Sequence, residues 1–337
     1  MANHNEKQAK SFGEEARGYM KGLEVVDYRL IISIVFLVMF GLIMVYSASN
    51  AQYGASLLKR QFEIGGLGFI MMLVISYIDY HIYAKFAGAL YVLSVLSLFL
   101  VKVPGIGVTK NGASRWIEVG PISFQPSELV KPAMVILMAY LLTQIGRKMK
   151  KWYADVILIF PGLIAVGLIL FVTKNLSTAL IVFGIVAFMF FIAYPDKEIW
   201  RWIGVVLVAV VVVLLVYYNL VIVREHSLLL SEGTSATSNA DFRSNRILAW
   251  LYPDDYPQAS MQSRYSMYAI GFGGLLGRGL GNGTMKYYLP YAMNDFIFGV
   301  IGEELGLVGC GLVIFLFIYQ VWRVITVSQH AKDRLGS

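Results

Sequence analysis

Apolar residues along this chain come in long runs that lack the strict alternation of strands, and short polar knots separate them. Eight such runs predict eight membrane-spanning helices: Leu30–Tyr46, Ile64–Ile78, Tyr83–Val101, Leu129–Ile145, Val156–Val172, Leu176–Tyr194, Ile203–Val223 and Phe296–Val321. Lengths of about twenty residues match a hydrocarbon core of about 30 Å, whereas a β-barrel would need shorter, alternating segments. The expected fold class is all-α, a polytopic integral membrane helical bundle. Residues 1–28 read as a polar tail, 29–325 as the transmembrane domain and 326–337 as a second tail.

The long connection 224–294 divides in two. Residues 231–245 are small and polar, with no apolar face to bury. Residues 262–280 are apolar but punctuated by glycine, too short and broken to span. A re-entrant or interfacial segment is expected there, because non-helical backbone at membrane depth must line a cavity or be buried in protein. Ser47-Ala48-Ser49 after the first span has the small residues of a cleavage site. The apolar run before it is too long for a leader, so an uncleaved anchor is expected.

Composition agrees: 58% of the 337 residues are hydrophobic and 15% charged, far from a soluble domain. The net charge of +7 does not call for nucleic acid, because the basic residues gather at span ends. Arg147, Lys148, Lys150 and Lys151 follow span four, Lys197 and Arg201 follow span six, and Arg323, Lys332 and Arg334 follow span eight. With an even number of spans these all share a side with the N-terminal tail, and the positive-inside rule makes that side cytoplasmic. The loops at Lys59-Arg60, 102–128, Lys174-Asn175 and 224–294 then face outward. The single cysteine, Cys310, lies in an apolar run and excludes a disulfide framework. Four histidines, with His81 and His226 isolated in loops, give no metal-ligand spacing, so a zinc enzyme is not expected.

The candidate chemistry sits in two outward stretches. The glycine run Gly271, Gly273, Gly274, Gly277, Gly279, Gly281 and Gly283 lacks dinucleotide-loop spacing and a preceding strand, so close helix packing or a tight turn is the better reading. Asp295 at the start of the last span suits a helix N-cap. On spacing alone the cap is the better reading, though an ionised carboxylate there also suits a general base that takes a proton from an attacking hydroxyl. Glu303 and Glu304, about 12–14 Å further along the helix, either pair with a cation or line a polar cavity. In 110–132, Arg115-Trp116 sets a forked cation beside a flat aromatic, a pairing that can hold a phosphate and a sugar face. Ser127 suits a helix N-cap, and Glu128 and Lys131 fall three apart on one face, as an ion pair or as part of a site. Arg243 and Arg246 add outward positive charge. Together these residues describe a basic outward cavity with an acid at its rim, suited to a polyanionic lipid headgroup such as a pyrophosphate.

Two of these stretches are specific enough to place. NGASRWIEVGPISFQPSELVKPAMVI and YAIGFGGLLGRGLGNG…YLPYAMNDFIFGVIGEELGLVG, with MVYSAS at 44–49, resemble the SEDS family of bacterial membrane proteins that contains FtsW, RodA and SpoVE. The resemblance covers about residues 25–325 and its wording is nearer FtsW or SpoVE. It implies a peptidoglycan glycosyltransferase that polymerises lipid II at the outer face of the cytoplasmic membrane, in cell division or cell-shape maintenance. It further implies a class B penicillin-binding protein as partner, alongside other divisome or elongasome membrane proteins. Asp295 would be the catalytic carboxylate. Arg115, Trp116, Glu128, Lys131, Arg246 and Glu304 would serve substrate binding. No cofactor is implied with certainty, and a divalent cation is compatible with the chemistry.

The chain departs from the family in three places. Lys174-Asn175-Leu176-Ser177-Thr178-Ala179 stands where the family has a PDLGTA-like turn, and Pro290-Tyr291-Ala292-Met293-Asn294 where it has PEAHT. The family pattern has ten spans, so either a truncated chain or a family member shortened by two helices is expected. A lipid II flippase, or a non-catalytic scaffold that recruits the penicillin-binding protein, are the competing readings.

Overall fold

In a computed structural model the described residues are 27–54, 56–110, 113–120, 122–145, 152–193, 248–289, 292–331, 333 and 335–336. Predicted span seven, the basic knots at 147–151 and 197–201, residues 231–245, Arg243 and Arg246 lie outside them. The chain forms two compact units. The first takes in the described residues up to Met72 and those from 248 to Ala331, and the second takes in Leu73 to 193 and the residues after Ala331.

The first unit contains α1 (Tyr28–Tyr53), most of α2 (Ser56–Ser76), α8 (Pro257–Gly273) and α9 (Ile297–Gln329). Its core joins Met44 of α1 to Leu289, Ala292, Val300, Ile301, Cys310 and Val313. The outward faces of α1 and α9, with Phe36, Met39, Phe315 and Ile318, stay apolar and exposed, as a helix in lipid requires. Asp27 begins α1 by accepting from the amides of Arg29 (3.1 Å) and Leu30 (3.2 Å). The same carboxylate accepts from Nε of Arg323 at 3.1 Å, near the far end of α9. At the other end of α1, Ser47 Oγ donates to Glu304 at 2.7 and 2.6 Å. Each helix covers about 30 Å between its two contacts at 1.5 Å per residue, so α1 and α9 run antiparallel over a bilayer's thickness.

The second unit holds α3 (Tyr80–Lys85), α4 (Ala87–Ser97), α5 (Ser127–Ile145), α6 (Trp152–Leu168) and α7 (Leu176–Ala193). Leu98, Val130, Met134, Met138, Leu158, Ile169 and Val182 make its core. By length and composition, four helices among the described residues can cross a membrane: Tyr28–Ser49, Ser127–Ile145, Asp155–Thr173 and Ile297–Gln329. Ala87–Lys102 and Leu176–Ile192 are shorter apolar helices at predicted spans three and six. The last helix runs on to Gln329, past the expected end of span eight.

Two features refine the sequence reading. The expected outward loop 102–128 contains an antiparallel meander, β1 (Gly107–Lys110), β2 (Ala113–Val119) and β3 (Ile122–Phe124), with Trp116 opposite Val108 and Ile117 opposite Phe124. Its central strand is rich in β-branched and aromatic residues (Trp116, Ile117, Val119) but does not alternate strictly, with Ser114-Arg115 polar and Trp116-Ile117 apolar. The stretch 262–280 is not broken throughout: it is helical to Gly273, and only then does the chain turn.

Candidate active site

The glycine run and α9 are built as one piece. Gly306 sits at φ +67, ψ −165, a conformation that breaks the helical path of α9 and that essentially only glycine tolerates. A break in a helix leaves carbonyls and amides without their i→i−4 partners. Here the turn after α8 supplies them: Arg278 and Gly279 donate backbone N–H to the carbonyls of Glu303 and Glu304, both at 2.9 Å. In return Leu307 and Val308 donate to the carbonyls of Gly274 (2.9 Å) and Leu275 (3.2 Å). Such closeness needs bare backbone, and a Cβ on Gly273 would overlap the Gly302 carbonyl. The glycines are thus a docking seam for a broken helix, not a phosphate loop.

Both glutamates at the break are fully buried, at 0% exposure, and both are partnered. Glu303 accepts from the Thr284 amide (2.7 Å), the Thr284 hydroxyl (2.9 Å) and the Met285 amide (2.9 Å), with Arg278 Nη1 at 3.5 Å. Glu304 accepts from Lys286 Nζ (2.8 Å), Ser47 and the Gly281 amide (3.0 Å). Lys286, 5% exposed, also donates to the Gly281 carbonyl at 2.8 Å and to Ser47 Oγ at 3.3 Å. Of the two sequence readings for these acids, the ion pair is the one the structure realises, and the oxygens of Glu304 are taken up by Ser47, Gly281 and Lys286. Sequence reading missed Lys286 and Ser47. Lys286 draws no reading in its polar loop, and Ser47 stands only among the small residues at a span end, because the pairing with Glu304 joins residues 18 and 257 positions apart.

Asp295 lies between this pinned loop and α9 and is exposed. The cap position of α9 belongs to Phe296, with no side-chain cap bond, so the N-cap reading of Asp295 is not realised. Upstream, Leu289 is 2% exposed, and its carbonyl accepts from the Ala292 amide at 3.3 Å. Downstream, Gly299 and Val300 are buried. The carboxylate therefore lies on a short bridge, residues 292–298, between buried Ala292 and buried Gly299.

The second unit holds the other candidates. Arg115 Nη2 donates to the Lys174 carbonyl at 3.2 Å, while its Nε is buried without a hydrogen-bond partner among the described residues. Lys174 has a left-handed φ of +50 after a π turn at Ile169–Thr173. So the departure from the PDLGTA-like turn is where Arg115 docks. Trp116, next on β2, is half-buried. Lys131 Nζ meets Glu128 Oε2 at 2.7 Å, the i,i+3 pair expected. Ser127 is the first helical residue, not a cap, and its hydroxyl accepts from Gln125 Nε2 at 2.9 Å. His81, expected to be isolated, bridges Asp79 (2.7 Å) and Asp333 (2.8 Å). Among the described residues no group of three or more His, Cys, Asp or Glu is placed to hold a metal ion.

Known proteins resemble this chain in sequence and in fold. A probable peptidoglycan glycosyltransferase FtsW from Geobacter sulfurreducens is 35% identical over 325 residues, covering 94% of this chain and 81% of the relative. The stage V sporulation protein E of Bacillus subtilis is 32% identical over 319 residues, covering 92% and 81%. A solved chain from work on coordination of polymerization and crosslinking by a peptidoglycan synthase complex matches with TM-score 0.67 at 24% identity, over 92% of this chain and 80% of that one. The rod shape determining protein RodA of Thermus thermophilus matches with TM-score 0.58 at 24% identity, over 92% and 78%. The family model for cell cycle proteins of the FtsW, RodA and SpoVE type matches residues 28–337. The chain belongs to the FtsW/RodA/SpoVE family of membrane proteins.

Proposed function

We propose that this protein is a peptidoglycan glycosyltransferase that polymerises lipid II into β-1,4 glycan strands. It would work at the outer face of the bacterial cytoplasmic membrane with its N-terminus in the cytoplasm. The observation that carries the reading is Asp295: an exposed carboxylate on a short bridge between buried Ala292 and buried Gly299, within the stretch that the family model matches. As general base it would take the proton from the C4 hydroxyl of the acceptor GlcNAc. That oxygen attacks the anomeric carbon of the donor MurNAc. The bond from this carbon to the pyrophosphate oxygen breaks, and undecaprenyl pyrophosphate leaves with inversion. A pyrophosphate is already a good leaving group, so no partner acid is needed, unlike in hydrolysis of an ordinary glycoside. Arg115 and Lys131 are proposed to meet the negative charge on the pyrophosphate, with Trp116 against a sugar face. A class B penicillin-binding protein would cross-link the product.

The test is purified protein, with and without that partner, incubated with labelled lipid II. Glycan chains that disappear in Asp295→Ala while the protein stays folded are the expected result. Folded parent protein that makes no polymer with its partner present would overturn the reading, and translocation of lipid II across vesicles insensitive to Asp295→Ala would point to a flippase. Titrating the assay with EDTA and then magnesium reads whether the pyrophosphate needs a divalent counter-ion.

A further inference from the structure

The buried Lys286–Glu304 pair is a large outlay for a loop that could have been packed with apolar side chains. Taking both charges out of water costs several kcal/mol per ion, and an apolar pair of similar volume is often as stable or more so. Stability alone therefore does not account for it. What an ion pair adds is direction, because three ammonium protons and four carboxylate lone-pair positions accept few arrangements. Here they are filled: Lys286 Nζ meets Glu304 Oε1, the Gly281 carbonyl and Ser47 Oγ, while Glu304 also receives the Ser47 hydroxyl and the Gly281 amide. Three separate stretches, α1, the glycine loop and α9, meet at one point inside the protein.

From that point the chain leads to Asp295. Lys286 is the middle residue of the 3₁₀ turn Met285–Tyr287. The Leu289 amide bonds the Met285 carbonyl at 3.0 Å, and Leu289 itself packs in the cluster with Met44, Val300 and Ile301. The Leu289 carbonyl in turn accepts from the Ala292 amide at 3.3 Å, which ties the turn at Lys286 to the bridge bearing Asp295. We infer that Lys286 and Glu304 are positioning residues that hold the Asp295 bridge in register with α9. The inference rests on the reading of Asp295 as the general base and concerns what keeps that base in place.

Removing one charge would strand the other in the interior and would report only on folding. The informative variant is Lys286→Met with Glu304→Gln. It removes both charges and leaves a side-chain amide to accept from the Gly281 amide and donate to Ser47 Oγ. The full chain with its partner is compared with this double variant in three measurements: thermal unfolding, kcat and KM for lipid II polymerisation, and amide hydrogen exchange over residues 286–296. The expected result is an unfolding midpoint close to the parent's, kcat lower by about tenfold or more, KM within about twofold, and faster exchange over the bridge. A misplacement of about 1 Å at a reacting group can cost a hundredfold in rate. Parental kcat, or unchanged exchange, in the folded double variant would overturn the inference while leaving the polymerase reading intact. If the parent makes no polymer, the polymerase reading falls, and the exchange comparison alone decides whether the pair fixes the bridge.

Discussion

Gly306 shows how far one residue's backbone decides the site. Its φ of +67 with ψ −165 breaks α9 where the glycine loop docks, and a Cβ there would overlap the Gly277 amide and the Leu275 carbonyl. Gly306→Ala is expected to cost about 1–3 kcal/mol in backbone strain alone, and more once the loop is pushed off α9. Thermal unfolding in detergent checks this: a midpoint unchanged from the parent would mean that the break survives without glycine. Gly311, further along the same helix, has open space around its Cβ position. Gly311→Ala is expected to leave the midpoint the same or slightly higher, since alanine favours helix by about 1 kcal/mol.

This contrast marks how much of the site could be read from the sequence. That the glycines serve close packing follows from their spacing, and the motif around Asp295 is what singles that residue out. That Gly306 breaks the helix does not follow, because a glycine inside an apolar run costs little to a helix pattern and leaves no mark. Lys286 was hidden for a similar reason. Its burial depends on Ser47 and Glu304, two residues that only the folded chain brings to it.

At the scale of elements, the link between α3 and the segment after α9 depends on pH. Asp79 caps α3 by accepting from the His81 amide at 2.9 Å, and the His81 ring lies between Asp79 and Asp333. The hydrogen bond to Asp79 is the main reason that the His81 pKa is raised, against a smaller pull from burial and with Asp333 adding to the rise. Asp79 is lowered chiefly by the His81 amide, and Asp333 chiefly by the Gly336 amide. A raised histidine contributes fully below its ordinary value of about 6.5 and loses that contribution as pH climbs through the raised value. The lowered carboxylates contribute above their ordinary range and lose it as pH falls through their own values. The link is thus held between these limits and let go on the alkaline side first. Amide exchange at 335–336 should be slower in the parent than in His81→Phe near pH 6, and the difference should vanish well above the raised pKa. A difference that stays constant with pH would rule the link out. None of this was legible beforehand: His81 stands in a polar loop, and Asp333 is 252 positions away. The helices themselves were legible, since a run of twenty apolar residues has few other uses. The meander at 107–124 was not, because strands of three to seven residues between polar turns carry little periodic signal.

For the molecule as a whole, the antiparallel pair of α1 and α9 fixes which ends share a side of the membrane. Asp27 and Arg323 close one end, and Ser47 and Glu304 the other. Between the two closures each helix has a bilayer's thickness of almost uncharged surface. A mispaired arrangement, shifted by one turn, would part Ser47 from Glu304 and Asp27 from Arg323, and each carboxylate would lose a partner at the membrane's edge, where unpaired charge is costly. Charge therefore sets the register here, while apolar contact supplies the cohesion. The arrangement predicts labelling by a membrane-impermeant thiol reagent in intact cells. With the orientation proposed above and in a Cys310→Ser background, Lys59→Cys and Asn282→Cys should react from outside, because both lie at the end of α1 that meets Glu304. Arg29→Cys and His330→Cys, at the Asp27–Arg323 end, should react only after the cells are opened. All four positions are exposed, so silence at any of them reports sidedness and not burial. Labelling of Arg29→Cys and Asn282→Cys from the same side would contradict the antiparallel pair. Labelling of all four with inside and outside exchanged would keep the pair and reverse the orientation, placing Asp295 away from any outward-facing substrate.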